Sequence, residues 1–197
     1  MTTPLPLFPL QTILYPGGRL PLRIFESRYI DMVRECMRNQ SGFGVVWRMD
    51  TAPDQPGGHA RIGTEAVITD FSTLPDGLLG IECRGTRRFL VRATRARDNG
   101  LLIGEVEWLH DLPASVVSPR YGALQTLMRE ILQNRELAAA IDVDVDQASS
   151  LSFALASLLR LDLPRAQNLL EMTDPDQRLE LLLELVESAA GNADGSA

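Results

Sequence analysis

The chain has 197 residues, 45% hydrophobic and 23% charged, which is enough apolar material for one domain or two small ones. Its formal charge is −7, and all nineteen cations are arginine because the sequence has no lysine. That absence excludes a lysine-bearing phosphate loop, a Ser-Lys hydrolytic dyad, a Schiff-base lysine and a pyridoxal phosphate site.

In the opening segment, Leu5 to Cys36, short apolar runs are broken by Pro6, Pro9, Pro16, Pro21 and the Gly17-Gly18 pair. Proline fixes φ and removes a ladder donor, so these runs are expected as short or edge strands at the start of a curved sheet. A helix is expected over Arg28 to Asn39, with Ser27 as its cap and Tyr29, Met32, Val33, Cys36 and Met37 on one face. Ser41-Gly42 should end it, and Phe43 to Met49 reads as a buried strand. Thr51 to Gly58, TAPDQPGG, has little to bury and is expected to be exposed and mobile.

Four β-rich runs follow: Gly63 to Phe71, Leu78 to Cys83, Thr86 to Ala96 and Leu101 to Leu109. Pro75-Asp76-Gly77 and Asp98-Asn99-Gly100 supply hairpin turns, with glycine free to take positive φ. Arg84-Gly85 suits a tight turn or a bulge. Such a meander, joined by the N-terminal strands, can close into a barrel and so remove its exposed edges.

The remainder is helical. Ser118-Pro119 opens a helix carrying Leu124, Leu127, Met128 and Ile131 at i, i+3, i+4 and i+7. Asp146 is placed to cap a second, with Leu151, Ala154, Leu155, Leu158 and Leu159 on one face. Pro164 opens a third, holding Leu169 and Leu170, and Asp174-Pro175-Asp176-Gln177 is a start signal for a fourth, striped by Leu179, Leu182, Leu183 and Val186. Four such helices are expected as a small bundle against the barrel. The boundaries read as a β-barrel part at 1–112 with one early helix, a helical bundle at 113–190 and a polar, disordered tail at 191–197.

The motifs recur in one family. An L-P-L-x-P-L strand, a P-G turn and a P-L-x-I-F-E-x-R-Y helix entry follow in order within Leu5 to Cys36. A G-x-x-A-x-I strand (Gly63 to Ile68), an L-P-D-G turn (Leu74 to Gly77) and an R-G-x-R-R-F strand (Arg84 to Phe89) come next. Leu161 to Glu171 and Arg178 to Leu183 follow the helical pattern of the same family, with Gln167 one place early. In all of this the chain resembles the N-terminal substrate-binding domain of the Lon proteases, from Leu5 to Val186. The resemblance implies an α+β fold, a PUA-like curved antiparallel β-barrel followed by a helical bundle. It further implies a free-standing, non-enzymatic recognition module without the ATPase and protease elements.

No catalytic constellation stands out. His59 and His110 have no cysteine or carboxylate at metal-ligand spacing. Asp142, Asp144 and Asp146 alternate, but Gln147 and Phe153 occupy the places where an EF-hand needs Gly and Glu, so the run reads as a solvated acidic linker. No cofactor or metal is expected. Cys36 and Cys83 read as small buried hydrophobes in a reducing compartment. No basic and apolar leader is apparent, and the uncharged stretch Gln147 to Leu159 is too short to span a bilayer, so a cytoplasmic location without a membrane partner is expected.

Two binding readings remain. In the first the partners are other polypeptides, as unfolded or extended segments or a separate protease. They are met by a surface between barrel and helices or by an N-terminal edge strand that accepts an added one. Its candidate contacts are Phe25, Arg28 and Tyr29, aromatic and arginine side chains of the helix entry, although Phe25 also reads as a core residue. In the second the ligand is RNA, met by Arg88 and Arg92 on the outer face of the strand through Phe89, Val91 and Ala93. The net negative charge and the lack of neighbouring aromatic platforms weigh against it. Pairing of those arginines with Glu82, Glu105 or Glu107 is the simpler account.

Overall fold

The computed structural model describes residues 2–49, 58–110 and 115–194. The loop expectation for Thr51 to Gly58 falls outside these residues, Gly58 excepted. The chain divides into two compact units, Met1–His110 and Asp111–Ala197.

The first unit contains β1 (Thr3–Leu10), β2 (Arg19–Ile24), α1 (Ser27–Asn39), β3 (Phe43–Met49), β4 (Gly58–His59), β5 (Ile62–Thr73), β6 (Leu79–Ala96) and β7 (Leu102–Trp108). The strands are hydrogen-bonded in the order β1-β7-β6-β5-β3-β4, with β2 added on β6. Strand β1 also pairs with β3, so the succession of pairings returns to where it began. That pairing is parallel, whereas the others are antiparallel.

The prolines of β1 explain how it is held. Thr3 to Leu7 register with β7, and Leu7 to Leu10 register with β3. Each stretch is therefore paired along one side only, where a missing amide costs no ladder bond if it points the other way. Pro4, Pro6 and Pro9 all lie on such one-sided stretches.

Strand β6 is continuous, so Leu78 to Cys83 and Thr86 to Ala96 are not separate strands. Of the tight turn and the bulge expected at Arg84-Gly85, the structure has the bulge: Ala66 faces Gly85 and Thr64 faces Arg88, which leaves one extra residue on β6. One extra residue exchanges the faces of a strand. Ile81 and Cys83 accordingly join a cluster with Phe8, Tyr29, Met32 and Phe43, while Phe89 and Val91 join another with Leu5, Leu7, Val46 and Val106. A Cβ at Gly85 would lie 2.2 Å from the Tyr15 carbonyl oxygen, so the chain before β2 requires glycine at this point. Gly17 N–H donates to Gly85 O, and Gly85 N–H donates to Gly18 O, both at 2.9 Å.

Helix α1 buries Tyr29, Met32, Val33 and Cys36. Met37, expected on the same face, is exposed. Ser27 is the first helical residue and not the cap: Glu26 holds the cap position without a side-chain bond, and its carbonyl accepts from the Tyr29 and Ile30 amides. Gln40 turns left-handed at φ 51° and ends the helix before Ser41-Gly42. The Tyr29 ring stacks on Phe8 with centroids 3.9 Å apart and planes inclined by 20°, fixing α1 on the sheet.

The second unit has a 3-10 turn at Pro119–Tyr121, then α2 (Gly122–Ile131), α3 (Arg135–Ala140), α4 (Ala148–Leu158), α5 (Leu163–Glu171) and α6 (Pro175–Asp194). The short α3 had no periodic signature; it starts on Asn134, whose side chain accepts from the Glu136 and Leu137 amides. Asp146 does not cap α4, since Gln147 holds that position. Its carboxylate accepts from Gln125 and Arg129 of α2 instead. Helix α4 is not one-faced: Leu151, Ser152, Phe153, Ala154, Leu155 and Ala156 are consecutive and all buried, as in a helix surrounded by its unit. Asp162 and Asp174 accept first-turn amides at the starts of α5 and α6. Helix α6 continues to Asp194 and so takes in four residues expected as tail; no proline interrupts it, and a single glycine lowers helix stability by only about 1 kcal/mol.

Arg178 of α6 is 0% exposed and ties three elements together. Its guanidinium donates to Ser152 Oγ at 3.0 Å, Ser149 Oγ at 2.9 Å and the Met172 carbonyl at 2.7 Å, and lies 3.9 Å over the Phe153 ring. Arg178→Ala would orphan these acceptors and leave a void. It is expected to destabilise the second unit by about 3 kcal/mol in urea unfolding. The exposed Arg92→Ala should cost less than about 1 kcal/mol in the same measurement.

Candidate functional site

The three residues of the helix entry have different fates. Phe25 is 69% exposed, so it is not a core residue. Tyr29 is buried in the stack on Phe8. Arg28 donates to the Gly100 carbonyl at 3.1 Å and pairs with Glu26 at 2.7 Å, holding α1 to the β6–β7 turn, where Gly100 has φ 80°. Of the three, Phe25 alone presents its side chain broadly to solvent.

Arg88 and Arg92 do not share an outer face. Arg88 is 2% exposed and Arg92 is exposed. The alternation that would align them is interrupted between Val91 and Ala93, where β6 again carries an extra residue against β7. Arg92 donates from Nε to Glu107 at 2.8 Å, and this bond, then the charge itself, holds the Glu107 carboxyl below the usual range. Arg87 pairs with Glu65 at 2.9 Å and covers the Trp108 ring at 3.6 Å. Arg97 pairs with Glu35 at 2.9 Å. These arginines are engaged with carboxylates and an indole of their own unit.

The open surface lies elsewhere, at the C-terminal end of β5. Strand β3 registers with β5 only at Thr64 to Ala66, so β5 runs on beyond it through Val67 to Thr73, paired with β6. A second bulge, between Ile68 and Asp70, sets this stretch. Simple alternation from Ala66 and Ile68 would turn Asp70 inward and Phe71 outward. The extra residue instead places Phe71 opposite the buried Ile81, on the face of the core but past the end of its cover, and Asp70 opposite Glu82. Phe71 is 57% exposed.

Two cavities meet at Asp70 and Phe71. One, of about 470 Å³, runs from Val67–Phe71 to Cys36, Met37, Gln40 and Ser41 at the end of α1. The other, of about 330 Å³, is bounded by Pro21, Leu22 and Arg23 of β2, by Leu74, and by Gly80–Glu82 of β6. Apolar groups dominate both walls, and Gly80 lets the Leu74 side chain lie close, since a Cβ there would stand 2.8 Å from it. The Phe71 N–H is held by the Asp70 side chain, whose Oδ1 accepts it at 2.8 Å. The edge of β5 is thereby blunted at this point against an added strand.

The arrangement offers apolar burial and charge, and no reacting group. Among the described residues no group of three His, Cys, Asp or Glu is placed to hold a metal ion. Cys36 and Cys83 are free and buried. Burial pushes the Cys83 thiol up to about 12 and raises Cys36 as well, so neither is a ready thiolate at neutral pH. No described helix is long and apolar enough to cross a membrane.

The fold is mixed α/β, a mainly antiparallel sheet unit followed by a helical one. Residues 4–188 match the ATP-dependent protease La (LON) substrate-binding domain, and the chain belongs to that family. It is 26% identical over 194 residues to a Lon protease of Cytophaga hutchinsonii and 25% identical over 195 residues to that of Escherichia coli K12. In each case 93% of this chain is covered, and the chain spans 24% of the relative's length. Neither ATPase nor protease domain of those relatives falls within the match. A crystal structure of a Lon N-terminal domain protein from Xanthomonas campestris is 42% identical, with a TM-score of 0.78, over 92% of this chain and 98% of that one. The N-terminal domain of a Mycobacterium avium complex Lon protease, 20% identical, shares the fold with a TM-score of 0.65 over 92% and 97% of the two chains.

The packing around Tyr29 has a titration consequence. Burial raises all three tyrosines above the ordinary value: Tyr15, Tyr29, and Tyr121, which reaches about 12 with help from its hydrogen bond to Glu180. The folded protein thus keeps protons that an unfolded chain releases near pH 10. The associated stability is fully present below about pH 10 and is lost as pH rises above it. Phenolate absorbance should stay flat through pH 10 and rise only together with loss of circular dichroism.

Proposed function

We propose that this domain is a non-enzymatic recognition module that binds segments of other polypeptides, with a PUA-like barrel as its scaffold. The observation that carries the proposal is Phe71, a largely exposed aromatic at the junction of two apolar cavities in a domain of the Lon substrate-binding family. Aromatic side chains set in such surroundings dominate interaction energies. The exposed Met37 lines the larger cavity and adds to its apolar surface. The names of the relatives support the same reading, since they belong to proteases that must select protein substrates.

Nothing specific favours RNA. Arg88 is buried, and Arg87, Arg92 and Arg97 are paired, so phosphate binding at those three would have to displace existing ion pairs. Binding of a permanently unfolded, carboxymethylated protein and of a single-stranded RNA, each titrated across a salt series, tests the choice. Polypeptide binding should change little between low and moderate salt, and Phe71→Ser should weaken it by roughly tenfold while leaving the fold intact. Tight RNA binding that falls steeply with salt, together with no effect of Phe71→Ser on polypeptide, would contradict the proposal.

A further inference from the structure

From the rim of the smaller cavity we infer that this surface selects polypeptide segments in which a large apolar residue stands beside a lysine or arginine. The inference deepens the recognition reading and rests on it.

Asp70 and Glu82 are direct cross-strand partners on β5 and β6. Side chains so placed have Cβ atoms about 5 Å apart, and like charges in that relation destabilise a sheet. Both residues are exposed and both line the cavity that holds Leu22, Leu74 and Ile81 and is walled by Phe71. Among the described residues neither carboxylate is in an ion pair. Asp70 Oδ1 accepts the adjacent Phe71 amide, and the bond to Glu82 comes to its backbone carbonyl, from Thr69. The cavity's one cation, Arg23, is already matched by Asp76. An apolar pocket is therefore edged by two mutually repelling carboxylates.

A cationic side chain entering between Asp70 and Glu82 relieves their repulsion and gains a charge-assisted hydrogen bond to each. Its apolar neighbour on the segment can then reach Phe71 and the cavity. An acidic residue at the same place adds a third like charge. The occupant is thus an extended basic and apolar segment of another polypeptide, recognised through side chains, because the β5 edge is blunted at Phe71. Charge also steers the encounter, so the preference should weaken with salt.

The test uses three fluorescein-labelled, unstructured peptides of equal length and apolar content, with lysine, glutamine or glutamate beside each leucine or phenylalanine. At about 50 mM salt the full chain should bind the lysine peptide roughly tenfold more tightly than the glutamate peptide, with the glutamine peptide between. In Asp70→Asn combined with Glu82→Gln the spread should fall to about twofold, with affinity for the glutamine peptide unchanged. Both positions are exposed, so this variant should fold, and circular dichroism checks it. Neutralising two exposed acids of the helical unit, Glu130→Gln with Glu184→Gln, should leave the preference in place. A preference that survives the Asp70 and Glu82 changes, or that the helical-unit pair abolishes equally well, would overturn the inference. Equal binding of all three peptides would overturn it while leaving polypeptide recognition standing. Binding of none would remove both.

Discussion

The sheet unit depends on how Leu7 is held. It is the one position of β1 in register with both neighbours, opposite Leu102 of β7 on one side and Gly44 of β3 on the other. Through it the succession of pairings closes, and its side chain lies in the cluster of Leu5, Val46, Phe89, Val91 and Val106. The partners are shaped to admit it. A Cβ at Gly44 would lie 2.8 Å from Leu7 and 2.6 Å from Phe89, and one at Gly104 would lie 2.9 Å from Leu7. Contacts under 3 Å force displacement in a closely packed interior, so these glycines are where the ring of strands is drawn tight.

Closure on that side leaves the opposite side open. Because β3 is committed to β1 and to the first part of β5, it cannot follow β5 beyond Ala66. The rest of β5 projects past it, supported by β6, which is in turn flanked by β2. Bulges then decide which side chains face where. The β6 bulge after Gly85 lets a single strand serve two separate clusters, and the one in β5 sets Phe71 and Asp70 on the faces they occupy. The exposed aromatic surface is thus a product of strand pairing, not of a mobile loop.

Much of the architecture was legible in the residues. Pro-punctuated strands, an early amphipathic helix, two Gly-bearing hairpin turns and Pro-initiated helices all correspond to local rules, and the structure has them. Arg84-Gly85 offered one bulge as an alternative to a turn, but the other two were harder, because they answer to tertiary packing: nothing local in Thr69 or Arg92 announces an extra residue. Each bulge shifts everything after it by one face, which is why Phe71 went unremarked and why Arg88 and Arg92 were wrongly paired. Phe25 erred in the other direction, since hydrophobicity alone suggested burial where the chain leaves β2 and turns into α1. The buried Arg178 was noted only as part of a motif, for a charged residue signals burial only through partners such as Ser149 and Ser152, which lie nearly thirty residues away.

The central claim is that polypeptides are met at the projecting end of β5 and its neighbours. Amide hydrogen exchange on the full chain, with and without saturating unfolded polypeptide, tests it without altering a residue. Added protection should concentrate in 67–74 and 79–82 and around Met37, and should be absent from the arginine-bearing stretch 92–97. Protection confined to that stretch, or spread evenly over the strands with none at 67–74, would contradict the account.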